Sequence, residues 1–213
     1  MQCVNDNTCA IMLETIQGES GVNELGGEFL KQIEKLCRSR DILLIIDEVQ
    51  TGNGRTGWLY SYESYDIKPD IVTTAKGLGG GLPLGACMLF GGCADVFGYG
   101  DHGSTFGGNP VACAGACNIL SRITDGLLME VREKGAYLKS GLEKIKGVEA
   151  VTGKGLMIGI KTAKSASDIA KKCLDKGLLV LTAHGKVRLL PALNITKEEI
   201  DEAIKILSEV IGE

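Results

Sequence analysis

The sequence predicts an α/β fold, and three observations carry that prediction. Continuous apolar runs, such as residues 42–46, stop abruptly at ionisable residues, the pattern of strands in a mostly parallel sheet covered on both faces. Stretches with apolar residues at helical spacing separate those runs. Thirty glycines cluster in short loops that punctuate the alternation and form no low-complexity tract.

In chain order, residues 10–13 read as a buried strand ending at Glu14. A helix over 27–40 carries Phe29, Leu30, Ile33 and Leu36 on one stripe. Residues 42–47 form the next strand, ending in Asp47; 70–76 form another, ending in Lys76, and 84–90 a third. After Pro110 the character changes: 111–123 is a helix rich in small residues, and 127–145 a more charged one. Beyond Gly147 come a strand (156–161), a helix (166–176) and two strands (178–181, 187–190). Thr196-Lys197-Glu198-Glu199 has the form of a capping box and opens a last helix to Ile211. A boundary within 121–125 divides the chain into a domain over 1–122 and a smaller one over 123–213, with no internal repeat and no long linker.

Composition narrows the function. Apolar residues at 44% allow a buried core, and a net charge of -4 gives a nucleic acid no reason to bind. No apolar run reaches bilayer length, and Gln2-Cys3-Val4-Asn5 lacks the basic start and apolar stretch of a secretory signal, so the expectation is a cytoplasmic protein without a membrane partner. Cys9, Cys87 and Cys173 lie in apolar segments and read as reduced core thiols. Cys113 and Cys117 share a helix face, but His102 and His184 stand at no ligand spacing from them, so no metal is expected.

In open parallel sheets ligands gather beyond the carboxyl ends of the strands. Asp47 and Lys76 both stand there, so an acid and an amine converge on one crevice. Alone, such an aspartate is more often a turn former and such a lysine usually just solvated. Their neighbours change the odds. The stretches 45–52 (through Asp47-Glu48-Val49-Gln50), 73–81 (through Ala75-Lys76-Gly77) and 102–110 (through Gly103-Ser104-Thr105-Phe106) occur in an order and spacing that resembles the class III pyridoxal-phosphate (PLP) aminotransferases. Leu13-Glu14-Thr15-Ile16-Gln17-Gly18-Glu19 upstream and Val187-Arg188-Leu189-Leu190-Pro191 downstream match as well.

The resemblance implies PLP-dependent transferase fold type I. Residues 1–122 would be the C-terminal part of the large PLP-binding domain, with its mixed, mostly parallel sheet, and 123–213 the small C-terminal α+β domain. It implies pyridoxal 5'-phosphate as cofactor, amino-acid and 2-oxo-acid substrates, and a homodimer. Lys76 then carries the cofactor and moves the substrate proton, which requires its amine to be desolvated or near positive charge. Asp47 pairs with the pyridine nitrogen, Glu48 belongs to the same cofactor-binding stretch, Val49 packs on the ring (or simply in the core), and Gln50 bonds the phenolic oxygen. Thr105 reaches the partner's cofactor phosphate, and Ser104 lies near substrate. Arg188 clamps a substrate carboxylate, and Glu19 pairs with Arg188 when no second carboxylate is bound. Glu14 reads as structural, and Thr15 replaces a proline usual in the family.

Within the family the likeness is nearest to members that take acetylornithine in arginine biosynthesis, with ornithine, succinylornithine and 4-aminobutyrate as alternatives. The family pattern also has a first half, with the main phosphate cup, an aromatic stacked on the ring and an arginine for the acylated substrate. None of it is present after Met1, so weak PLP binding and little turnover are expected of these residues alone. Three readings stay open: an aminotransferase completed by another chain or a longer gene, a folded remnant without catalysis, and another PLP reaction on the same frame.

Overall fold

The structure, a computed structural model, describes residues 3–212 and falls into two units. The first contains the described residues up to Thr15, Leu25–Asn53 and Tyr60–Ile123; the second contains Ile16–Glu24, Gly54–Leu59 and the chain from Thr124 onward. Strands are β1 (Ala10–Leu13), β2 (Ile16–Gln17), β3 (Asn23–Glu24), β4 (Leu43–Asp47), β5 (Ile71–Thr74) and β6 (Ala86–Leu89), then β7 (Val148–Lys154), β8 (Met157–Thr162), β9 (Leu181–Ala183) and β10 (Lys186–Leu189). Helices are α1 (Gly27–Arg40), α2 (Pro110–Arg122), α3 (Asp125–Leu142), α4 (Ala166–Asp175) and α5 (Lys197–Gly212).

The first unit is built on a sheet in the order β1-β4-β5-β6. The first three are parallel, and β6 returns antiparallel to β5. The direction of β6 departs from the parallel run expected of it. Residues 75–85 are glycine-rich and hold no crossover helix, and a parallel return takes about a dozen residues or more. The span of α1 is as the spacing predicts. It stops at Asp41, in left-handed backbone with φ 53, whose N–H bonds the Cys37 carbonyl, while Arg38 and Arg40 complement the helix dipole. Asp70 then sets the register of two strands: one carboxylate oxygen takes Arg38 (2.6 Å) and the other takes the Leu44 N–H (2.8 Å).

Cover on both faces, expected of these strands, is not found among the described residues. Leu44 and Ile46 of β4 are buried, whereas Leu43 and, in β1, Met12 are exposed. Cys9 and Cys87 share that open setting and are exposed, contrary to their reading as core thiols; Cys173 is buried, as is Cys37, and burial pushes both thiols up. All eight cysteines are free, and no cluster of His, Cys, Asp and Glu among the described residues could hold a metal.

The second unit carries an antiparallel sheet in the order β7-β8-β10-β9. Side chains alternate between the two faces of β8, and both faces are covered over its first four residues, Met157 to Ile160. Ile158 and Ile160 join Leu138, Ile169, Ile200 and Leu207 in the core under α3, α4 and α5, while Met157 packs with Ile16 and Val22 of the β2–β3 hairpin. Strand β7 went unpredicted because its exposed residues break the apolar run. Strand β9 starts later than predicted because the Leu178 N–H closes the end of α4 on the Cys173 carbonyl (2.9 Å). The capping box is present: Thr196 Oγ accepts the Glu199 N–H (3.2 Å), and the Glu199 carboxylate accepts the Thr196 N–H (2.8 Å). No helix among the described residues is long and apolar enough to cross a membrane.

Candidate active site

Strands β4 and β5 are adjacent and parallel, with Asp47 opposite Thr73, so both deliver their carboxyl ends to the same sheet edge. The Asp47 carboxylate is oriented by the Val49 N–H (2.9 Å), and the ladder runs on through Glu48 N–H to the Thr73 carbonyl (2.8 Å). Strand β5 ends at Thr74, short of its predicted end at Lys76. Lys76 instead opens a 3-10 turn, Lys76–Gly79, with its own backbone left-handed at φ 48. A non-glycine residue held there costs about 1–3 kcal/mol, so the surroundings must impose it.

Asn53 does much of the imposing, and its role was not foreseen. Its Nδ2 donates to Thr74 Oγ (3.1 Å) and to the Ala75 carbonyl (3.2 Å), fixing the two residues before Lys76. Asn53 is itself left-handed, φ 55, within an Asn-Gly pair. That dipeptide is a turn signal that was available in the sequence. Helix α2 supports the turn from its other side, and its small residues are why it can: a Cβ on Gly115 would lie 3.2 Å from the Gly79 carbonyl oxygen. Asn109 caps α2 by accepting the Val111 and Ala112 N–H groups. The Lys76 side chain itself is exposed, so the described residues do not supply the desolvation expected of its amine.

Glu48 is fully buried. One carboxylate oxygen accepts Ser61 Oγ–H (2.7 Å) and the Tyr62 N–H (2.9 Å), and the other accepts Thr51 Oγ–H (2.6 Å). Ser61 also meets the Thr15 hydroxyl, which gives this buried threonine a place in the same network. The Glu48 carboxylate is thus turned inward and brackets the Asp47 turn. Burial pushes its pKa up, against the pull of the Ser61 and Thr51 hydrogen bonds. Stability from this group is therefore complete below the unfolded value of about pH 4.3 and is lost as pH rises through the raised folded value. Glu48→Gln keeps an acceptor and cannot ionise. Wild type should exceed the variant most in mild acid, the gap shrinking toward neutral pH; urea midpoints across that range read it, and a pH-independent gap contradicts it.

Val49 and Gln50 are half-buried beside this turn. Ser104 and Thr105 lie in an exposed loop, with the Gly107 N–H closing on the Ser104 carbonyl (3.2 Å), and no hydrogen bond among the described residues ties them to Asp47 or Lys76. In the second unit, Arg188 and Glu19 do meet. Arg188 Nη1 donates to Glu19 Oε1 (2.9 Å) and to the Gly18 carbonyl (3.2 Å). The Arg188 side chain is 9% exposed and that of Glu19 is 72%.

A family model, aminotransferase class-III, matches residues 1–211. The chain belongs to this family. It is 50% identical to the acetylornithine aminotransferase of Caldanaerobacter subterraneus subsp. tengcongensis, over 100% of this chain and 56% of that protein. With the acetylornithine aminotransferase of Haemophilus ducreyi it shares 46% identity, over 98% of this chain and 53% of that one. The chain therefore spans about half the length of the curated relatives it matches. Among solved structures, the ornithine aminotransferase of Toxoplasma gondii ME49 superposes with a TM-score of 0.90 at 36% identity, over 97% of this chain and 52% of that one. The N-acetylornithine aminotransferase of Stenotrophomonas maltophilia K279a gives 0.88 at 37%, over 97% and 57%.

Aminotransferases of this family use pyridoxal phosphate, and the residues at the sheet edge fit that group. An amine and an oriented carboxylate at neighbouring strand ends suit an aldehyde and a ring nitrogen. Thr73 Oγ, in register with Asp47, is buried without a hydrogen-bond partner among the described residues, a polar group awaiting one.

Proposed function

We propose that this chain supplies the cofactor lysine, the ring-nitrogen aspartate and the carboxylate-binding arginine of a transamination between N-acetylornithine and 2-oxoglutarate, giving glutamate and serving arginine biosynthesis. The observation that carries the reading is the delivery of Asp47 and Lys76 to one edge by adjacent parallel strands. The cofactor, when bound, withdraws electrons from the substrate carbon that bears the reacting amine, the δ-carbon of N-acetylornithine and the α-carbon of glutamate.

Lys76 would hold the cofactor and, as a free amine, carry the substrate proton, on a turn that Asn53 keeps from shifting. Asp47, aimed by the Val49 N–H, would pair with the protonated ring nitrogen of the cofactor. Glu48 supports the aspartate from within, Val49 would pack on the ring and Gln50 would bond its phenolic oxygen. Arg188 receives a substrate carboxylate bidentately, and Glu19 yields to it. Ser104 contacts substrate, and Thr105 contacts a phosphate bound by a second copy of the chain, making the active unit a homodimer. Residues 1–122 and 123–213 are the cofactor-binding portion and the small domain; the clustering of 16–24 and 54–59 with the latter reflects the β2–β3 hairpin on β7 and the Arg55 contacts with Leu156 and Pro191.

Alone, the chain is expected to turn over little. The test is a chimera in which it replaces the matching 56% of the Caldanaerobacter protein. Glutamate release from N-acetylornithine and 2-oxoglutarate supports the reading. Preference for ornithine would move the substrate within the family, and absence of transamination with any amine would favour a remnant.

A further inference from the structure

The loop that brings Glu19 to Arg188 has an unusual backbone. Val22 is left-handed, with φ 56, and fully buried. That region suits glycine, and a β-branched residue found there is an outlier that its surroundings must enforce. Ile16 and Met157 enclose Val22, with Leu190 packed against them. Two glycines make the room: a Cβ on Gly159 would lie 3.0 Å from the Gly21 carbonyl oxygen and 3.0 Å from Val22 Cβ, and one on Gly153 would lie 2.9 Å from Val22 Cγ1. Gly159 of β8 is the register partner of Arg188 in β10. The valine is therefore seated on the strand position beside the arginine. Lys186 Nζ donates to Asn23 Oδ1 (2.9 Å), and Asn23 Nδ2 donates to the Ser20 carbonyl (2.7 Å), tying the same loop to β10.

We propose that Val22 is a positioning residue that locks the backbone of residues 18–23, so that Glu19 engages or leaves Arg188 by side-chain rotation alone. The proposal rests on the reading of Arg188 as a carboxylate clamp. Its logic lies in the unequal exposure of the pair: the arginine is nearly buried and fixed, while the glutamate is mostly in water and can swing out at little solvation cost. A ligand carboxylate then replaces Glu19 without any loop rearrangement. The Gly18 carbonyl keeps its bond to the guanidinium throughout, so the arginine stays aimed. In a loose loop Gly18 and Glu19 would drift together, and Arg188 would lose these two acceptors at once.

Hydrogen exchange and side-chain NMR on the whole chain test this. Val22→Gly removes the seat and frees the backbone. Amides of residues 18–23 should exchange about tenfold faster or more, while those of β8 and β10 keep their rates. Arg188 Nη signals, restrained in the wild type, should average. Gly159→Ala pushes on the loop from the strand side without altering it and should loosen it in the same way. Val210→Ala, an equally buried valine of the same unit, should leave the loop unchanged. Glutarate, as a dicarboxylate probe, should shift the Arg188 signals in the wild type and do so more weakly in Val22→Gly. Wild-type exchange rates in Val22→Gly would overturn the lock. Loosening as expected, with no glutarate response in the wild type or in Glu19→Gln, would instead overturn the clamp reading and with it the exchange of carboxylates.

Discussion

Lys76→Ala abolishes the visible absorbance that lysine-bound cofactor gives when PLP is added to the purified chain. No second amine is offered at that edge by the elements that build it: β4 ends in an aspartate, and the turn after β5 contains Lys76 followed by Gly77, Leu78 and Gly79. Loss should be complete and the fold unaffected, because the side chain is exposed and its removal opens no cavity. Alanine still has to adopt φ near 48, so the strain in the turn stays the same and cannot account for the loss. Difference absorbance against the wild type checks this, with circular dichroism to confirm folding. Absorbance that survives the substitution would move the cofactor to another lysine.

Gly135→Ala should have a large effect on stability. Gly135 lies in the middle of α3, and a Cβ there would sit 2.2 Å from the Gly155 carbonyl oxygen and 2.5 Å from its carbon. Both are backbone atoms, and they cannot swing aside. Gly155 is confined in turn: it is left-handed at φ 58, and its own Cβ would lie 2.6 Å from the Thr56 carbonyl carbon. On that side, Arg55 bonds the Leu156 carbonyl (3.1 Å) and the Pro191 carbonyl (2.5 Å), and its pKa is lowered to about 10 by burial. The helix must therefore lift, parting Val131 and Leu138 from the core. Overpacking of this kind costs typically 1–3 kcal/mol, and the rigid neighbours here put about 3 kcal/mol within reach. Gly126→Ala, in the first turn of the same helix with its nearest neighbour at 3.7 Å, should instead stabilise by about 0.5–1 kcal/mol. Urea unfolding of the two variants reads both signs; equal midpoints would refute the close packing.

Part of this was legible in the chain and part was not, for physical reasons. Helix α1 was readable to its ends because periodicity and end charges agree. The end of β4 was readable because its apolar run breaks off at Asp47, whereas β5 stops at Thr74, two residues short of the lysine taken as its end. Local rules could not reveal that Lys76 sits in a left-handed turn, since lysine carries no preference for one, or that Asn53 reaches Ala75 across the sheet edge. The inward Glu48 was also hidden: its partner Ser61 lies 13 residues away, and Ser61 meets Thr15 from 46 residues away. Cys87 sits in apolar sequence and yet is exposed, because a strand has two faces and one of them is open here, and Cys9 is exposed just ahead of β1. Arg188 and Glu19 were paired by family likeness alone, and the structure adds the ion pair together with the valine and glycines that hold its loop.

Trapping the bound coenzyme by borohydride, with coenzyme kept below one equivalent, and mapping the labelled peptide by mass spectrometry asks the central question outright. A phosphopyridoxyl group on Lys76, diminished when Asp47 is changed to asparagine, is the predicted outcome. Label scattered over surface lysines, with no preference for Lys76 and no response to Asp47, would contradict the account.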